Sequence, residues 1–455
     1  MMSVAPASIT GESAPAASSG YTETRANVSR LYPWIAMLGW LIGFALLFVA
    51  YLYATRTVGN NSDNASVILE GQAMAHGNLL LRGWYLPPDS FITTEAALDA
   101  LGGLLFSPAQ LLKLTPAFLY ASASLLAAYL AGRTVTEPAA RWLASVACVA
   151  LIAFPNGSLL VMVMQGPMHF GTIVASLIAW LAYDRFVTHP ASRGMLAAFA
   201  LVTTLAIIGD PMAEALIVLP ALIVGVWALW RSGGRDVIAR ATTAGAAVAL
   251  LLGVGLRQAL IATGTFIGSA TPQLASPGLI WRHAQWLCVE VCMFFHIDLR
   301  HGVGSGQWIV ILALNCGVLI LCCAGFVRLL RRSLTPGLMR DSLSGVLSWA
   351  IVSSVAAFLF TDFAVDFGGT RYLLPAFIYA GILCYPACAR MLAGRRLKRF
   401  IVTFLCASGL VYVVALAQTP RATAPEQPLI AFLESHHLTA GYGSYWTANI
   451  STLRN

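Results

Sequence analysis

The sequence predicts an all-α, polytopic membrane protein with about eleven transmembrane helices, on three observations: composition, a succession of long apolar runs, and the placement of basic residues. Of 455 residues, 58% are hydrophobic and 10% charged, with a mean hydropathy of +0.76, whereas soluble domains lie near about 45–50% apolar. Apolar runs fall near 32–54, 114–132, 140–162, 169–188, 195–209, 211–230, 241–261, 307–327, 343–360, 371–390 and 400–418. Crossing about 30 Å of hydrocarbon takes roughly 20 residues, and 195–209 is the shortest of the set. Counting crossings from an inside N-terminus puts eighteen of the 27 Lys and Arg residues on one side, among them Arg133, Arg185, Arg231, Arg332 and Arg396. That side is then cytoplasmic and the C-terminus extracytoplasmic. The count leaves Arg82, Arg257 and Arg371, and 13 of the 19 acids, on the outer side. The net charge of +8 thus reflects orientation in a plasma (bacterial inner) membrane, with membrane lipids as neighbours and no nucleic acid as partner.

Taken in order, residues 1–31 are rich in Ala, Ser, Thr and Pro and predict a disordered cytoplasmic tail. The run at 32–54 is longer than the apolar part of a signal peptide and predicts a retained anchor, opening a membrane domain over 32–418. A first extracytoplasmic loop covers 55–113. In it Asp63-Asn64 start a helix running to about Met74, Gly77 stops it, and a second short helix runs from Thr94 to about Phe106. A second long loop, 263–306, carries Trp281 and Trp286 on an interfacial helix suited to the headgroup layer. A short extracytoplasmic tail, 419–455, closes the chain. Cys148, Cys316, Cys322, Cys323, Cys384, Cys388 and Cys406 fall inside spans and read as small apolar fillers. Cys288 and Cys292, four apart on a helix, are badly placed for a disulfide.

These features together resemble a family. A long first outer loop with an acid soon after span one, a second acid at an outer helix end in Gly209-Asp210-Pro211, and Arg371-Tyr372-Leu373-Leu374-Pro375 opening a late span look like the C-type (GT-C) membrane glycosyltransferases. The likeness is to the bacterial arabinose, mannose and lipopolysaccharide-sugar transferases and covers roughly 32–450. It implies transfer of a sugar from a polyprenyl-phosphate donor to a lipid, glycan or protein acceptor on the outer side of the membrane. Two departures stand out. Asp63 is followed by Asn64 where the family often has a second acid, which leaves metal binding there unsupported. About 37 residues follow the last span, short of the outer domain that members often carry, although Tyr442-Gly443-Ser444-Tyr445-Trp446 resembles the start of one.

The chemistry such a transfer needs can be assigned to residue types directly. A carboxylate must take the acceptor hydroxyl's proton, for which Asp63 and Asp210 are the catalytic candidates. The leaving phosphate needs cations, and Arg371, with its planar fork of donors, is the first choice, with Arg257 and Arg82 as further contacts. Glu70, two helical turns after Asp63 and near the same face, together with His169 and Tyr372, completes the substrate-binding candidates. The run His296-Ile297-Asp298-Leu299-Arg300-His301 holds metal-capable residues without a ligand spacing, and no cofactor is assigned. Two rival readings are a transporter or flippase without catalysis and an inactive GT-C-like protein. Transporters place ionisable groups at mid-membrane, whereas these acids gather at the outer rim.

Overall fold

A computed structural model describes residues 19–155, 157–166, 169–268, 273–297, 306–333, 343–391, 394–422, 427–438 and 445–454. The chain is helical, with α1 (Ser19–Ala54), α2 (Ser62–Ala75), α3 (Glu95–Gly102), α4 (Pro108–Arg133), α5 (Pro138–Ile152), α6 (Gly157–Met164), α7 (Phe170–Thr188), α8 (Arg193–Gly209) and α9 (Leu219–Arg231). There follow α10 (Val237–Ala262), α11 (Pro277–Phe294), α12 (Gly306–Ser333), α13 (Leu343–Phe360), α14 (Leu374–Met391), α15 (Arg395–Gln418), α16 (Gln427–Ser435) and α17 (Tyr445–Arg454). A two-residue parallel pair, β1 (Tyr85–Leu86) with β2 (Phe266–Ile267), ties the first loop to the segment after α10. Residues to Leu46 and the chain from Leu47 onward form two units. In the first, α1 begins at Ser19, inside the segment expected as a disordered tail, since Glu23, Arg25 and Ala26 are good helix formers. Residues 1–18 lie outside the described residues.

Among the described residues, nine helices are long and apolar enough to cross a membrane, so the all-α polytopic expectation holds at that level. The shorter apolar helices α5 and α8 stand where runs at 140–162 and 195–209 were expected. The first of these runs is broken: Pro155 disfavours helical backbone at Phe154, so α5 stops at Ile152 and α6 starts afresh. The connection into α9 is a π-helical turn, Glu214–Val218. Burial sorts the helices of the second unit into centre and rim. In Phe367–Ala389, 83% of the apolar window is buried, against 22% in Ile311–Ser333. Trp180, Tyr379, Phe170 and Phe199 are among the largest fully buried side chains, and the Tyr379 hydroxyl donates to Ser176 Oγ at 2.7 Å. On α10, α12 and α15, Leu251, Ile320 and Leu410 point outward, an apolar exposure that a bilayer would cover.

The first loop forms both helices expected of it, with Gly77 at φ +98° ending the first, while the second stops at Gly102, short of the expected Phe106. Ala65 and Ile68 of α2 pack with Leu111 and Leu112 of α4 and with Ile450 and Leu453 of α17. The C-terminal helix therefore folds back onto the helix that carries Asp63. Residues Tyr442 to Ser444 lie outside the described residues.

Candidate functional site

Charged side chains from five segments meet at one end of the helical body: Asp63 on α2, Asp89 after β1, His169 before α7, Asp210 after α8 and Arg371 before α14. Asp63 occupies the second position of α2. The cap itself is Asn61, whose side-chain oxygen accepts the Asn64 amide at 2.9 Å, so the cap falls two residues earlier than the expected Asp63-Asn64 start. Asp63 Oδ2 instead lies 3.4 Å from Arg371 Nη1, with both side chains about a quarter exposed. Asn64 is buried and donates to the Leu112 carbonyl at 3.1 Å, tying α2 to α4.

Arg371 is held by a short 3-10 turn, Phe367–Leu373, whose first carboxylate, Asp366, accepts the Gly369 amide at 3.2 Å. Thr370 is buried and donates to Glu290 of α11 at 3.3 Å. The Arg371 guanidinium lies 5.4 Å from the centre of the Tyr372 ring, and that ring lies 5.1 Å from the His169 imidazole. Tyr372 thus joins the two cationic groups.

His169 is the best-fixed member. Its backbone is left-handed at φ +68°, its side chain is buried, and its Nδ1 lies 2.7 Å from Asp210 Oδ2. Nε2 is 3.7 Å from Asp89 Oδ2. Burial alone would lower the imidazole pKa, but the charge and hydrogen bond of Asp210, helped by Asp89, outweigh it and raise it. For Asp210 burial raises the carboxyl and His169 more than reverses the effect, holding it below the ordinary range. Asp89 is pushed up by burial against the pull of His169. These three groups form a carboxylate–imidazole–carboxylate chain with one open end, since Asp89 is 22% exposed and Asp210 only 1%.

The segment 88–95 that delivers Asp89 is stitched to both helix ends beside it. The Phe91 amide donates to the Gly209 carbonyl at 2.7 Å, and Arg257 Nη2 donates to the Pro88 carbonyl at 2.7 Å. Glu95 Oε1 accepts the Gly171 amide at 2.7 Å, capturing a free N–H of the first turn of α7. Only glycine fits there, because a Cβ on residue 171 would stand 2.5 Å from Glu95 Oε2.

Of the residues picked from the sequence, the structure therefore brings together Asp63, His169, Asp210, Arg371 and Tyr372, but changes several roles. Asp210, expected as a candidate for the proton-accepting carboxylate, is buried. Its Oδ1 accepts the Met212 amide at 2.9 Å and its Oδ2 faces His169 at 2.7 Å, so both oxygens are engaged within the protein and the carboxylate orients the imidazole. Arg257, expected on a phosphate, holds the backbone next to Asp89. Glu70 does not share the open face of Asp63: it is 2% exposed, accepts from Ser66 at 3.1 Å, and burial pushes its carboxyl up to about 8. Arg82 sits on an exposed turn closed by its backbone and Asn78, away from the hydrogen bonds of the cluster. Asp89 is one of the 13 acids that the crossing count leaves on the outer side, with no role assigned to it from sequence. Its signal was Pro87-Pro88 directly before it, a pair that stiffens the backbone carrying a carboxylate.

Among the described residues, the acids and histidine at this end do not form a ligand set of three for a metal ion. They are engaged with cations and amides. In the second long loop, His296 is pulled down to about 4 by burial, while Asp298, Arg300 and His301 lie outside the described residues. What the arrangement offers is two carboxylates, each about a quarter exposed, facing an imidazole and a planar guanidinium, with the positions of the rest fixed from behind. A comparison with protein-family models finds none that matches the chain, and a comparison with curated proteins finds no match either.

Proposed function

We propose that this protein is a membrane glycosyltransferase of the GT-C kind, with about eleven spans, that moves a sugar from a polyprenyl-phosphate donor to an acceptor on the outer side of a bacterial inner membrane. The observation that carries this reading is the meeting of Asp63, Asp89, His169 and Arg371, because lipid-phosphate sugar transfer needs both elements of that set. A carboxylate takes the proton of the acceptor hydroxyl as its oxygen attacks the anomeric carbon. The bond from that carbon to the phosphate oxygen breaks, and its electron pair stays with the phosphate, whose growing charge the guanidinium and imidazolium stabilise. Asp89 is the better base on its raised affinity for a proton. A second assignment, Asp63, is favoured by its pairing with Arg371 at 3.4 Å: donor phosphate would draw Arg371 off and free that carboxylate at the moment of reaction.

Two further features support the reading. A cavity of about 330 Å³ lined by Tyr51, Ala54, Phe154, Pro155, Val413 and Ala417 is apolar and opens among helix ends on the side of the cluster, where an isoprenoid chain would run. Basic residues such as Arg133, Arg185 and Lys398 sit on helix ends away from the cluster, so the positive-inside rule turns the cluster outward. The direct test is turnover by purified protein of polyprenyl-phosphate-linked arabinose, mannose and glucose. Release of polyprenyl phosphate with loss of the sugar is expected for one donor of the panel, and its absence for all, with none retained on the protein, would overturn the proposal.

A further inference from the structure

About 20–25 Å along α14 from Arg371, taking 1.5 Å per helical residue, three buried cysteines meet. Cys322 of α12 places its sulfur 3.4 Å from those of both Cys384 and Cys388 of α14, and all three sulfurs lie within 4.8 Å of one another. The sequence builds this contact in two ways. Cys384 and Cys388 are four apart on one helix, hence on one face. Across from them Gly325 allows α12 to touch the Ala387 backbone, where any Cβ would collide, and Cys322, one turn earlier on α12, is carried in between. Apolar filling alone does not call for three thiols in mutual contact.

The geometry points to a binding site for a single soft cation, Cu(I), held by the sulfurs of Cys322, Cys384 and Cys388 and cross-linking α12 to α14. With two sides of 3.4 Å and a third no longer than 4.8 Å, the point equidistant from the three sulfurs lies about 1.7–2.4 Å from each, a range that includes a metal–thiolate bond of about 2.3 Å. Soft sulfur ligands select Cu(I) and Zn²⁺. Structural zinc takes a fourth ligand, and the cavity beside Cys384 and Cys388 is only about 10 Å³, at the lower limit for one water. A three-coordinate ion therefore fits best. On binding, two thiols release their protons to solvent, so Cu(I), two thiolates and one thiol carry one negative charge. Lys398, which lines the same cavity, offsets it. The site stands apart from the sugar-transfer proposal and does not depend on it.

The test is anaerobic titration of the purified full-length protein with Cu(I) against the chelator bicinchoninate, followed by X-ray absorption of the loaded protein. The expected result is one Cu(I) per chain in a three-sulfur shell, with a rise in thermal stability on loading. Cys388→Ser and, separately, Cys322→Ala should weaken binding more than about 100-fold, beyond the loss from an outer-shell partner. Cys316→Ser and Cys406→Ser, outside the cluster, should leave it intact. The proposal is overturned if wild type takes up no more Cu(I) than the cluster variants, if it retains Zn²⁺ in preference to Cu(I), or if the cluster cysteines are recovered as a disulfide.

Discussion

At one end of α7, Arg133 holds Asp184 through both Nε and Nη2 at 2.8 and 2.7 Å, a self-contained pair that joins the ends of α4 and α7. At the other end of the same helix, about 22 Å away by helical rise, His169 stands between two carboxylates while Arg371 reaches a third. The first arrangement balances one charge with one charge and asks nothing of a ligand. In the second, three acids share two cations, two of the acids keep an open side, and the groups behind them are locked by backbone bonds. The contrast separates charge that closes a structure from charge that the proposed reaction would draw on.

The sharpest way to break the contrast is to neutralise the open acids one at a time. Asp89→Asn should lower sugar transfer by about 10²- to 10⁴-fold if it is the base, with Asp63→Asn milder, and the reverse order would move the base to Asp63. Both variants keep an oxygen of the same shape, so thermal stability should stay near wild type in the same preparations. Transfer within a factor of two of wild type in both would mean that neither carboxylate takes the proton.

A smaller effect is expected at Asp210, which acts through His169. Asp210→Asn retains a hydrogen-bond acceptor and loses the charge, so transfer should fall by about 10- to 100-fold, as for outer-shell partners elsewhere. The pH profile should change too. Asp210 raises the imidazole pKa, so without its charge the imidazolium is lost at lower pH, and the alkaline limb of the rate profile should move down. An unmoved limb would show that the charge of His169 plays no part.

Glu70 tests the cluster's surroundings. Its folded-state carboxyl sits at about 8, above the ordinary value of 4.5, so the folded state binds the extra proton between those values. Stability from this group is then complete below about pH 4.5 and is lost as pH rises through 8. Glu70→Gln should raise the melting temperature at pH 8 and leave it nearly unchanged at pH 5, and equal shifts at both would contradict the assignment. Least of all is expected from the closed pair: replacing Arg133 by Met together with Asp184 by Asn should cost about 1 kcal/mol or less in thermal unfolding and leave transfer intact.

The helices and the common end of Asp63, His169, Asp210 and Arg371 were legible in the sequence because successive apolar runs fold as antiparallel helices, so counting runs assigns the loops between them to one end or the other. What could not be counted was orientation within a loop. Asp89 lies in a stretch without periodicity, and Arg257, which holds the Pro88 carbonyl beside it, is 169 positions further along the chain than Pro88. Glu70 shares a helical face with Asp63 by spacing, yet α3 packs over it, with Asp99 against Gly71. Asn61 and Asp63 are equally good caps by type, and only the fold chose between them. The cysteine cluster was read as filler because one of its three members comes from a helix 62 residues away in sequence.

The most direct test of the central claim is donor binding by Arg371 variants, measured by native mass spectrometry and by affinity for the polyprenyl-phosphate sugar. Wild type should retain the donor. Arg371→Ala should lose it together with turnover, and Arg371→Lys should recover only part of both, since an ammonium is a point charge where the guanidinium is a fork. If Arg371→Lys bound and turned over donor as well as wild type, Arg371 would be an interfacial anchor and the cluster would not be a phosphate site.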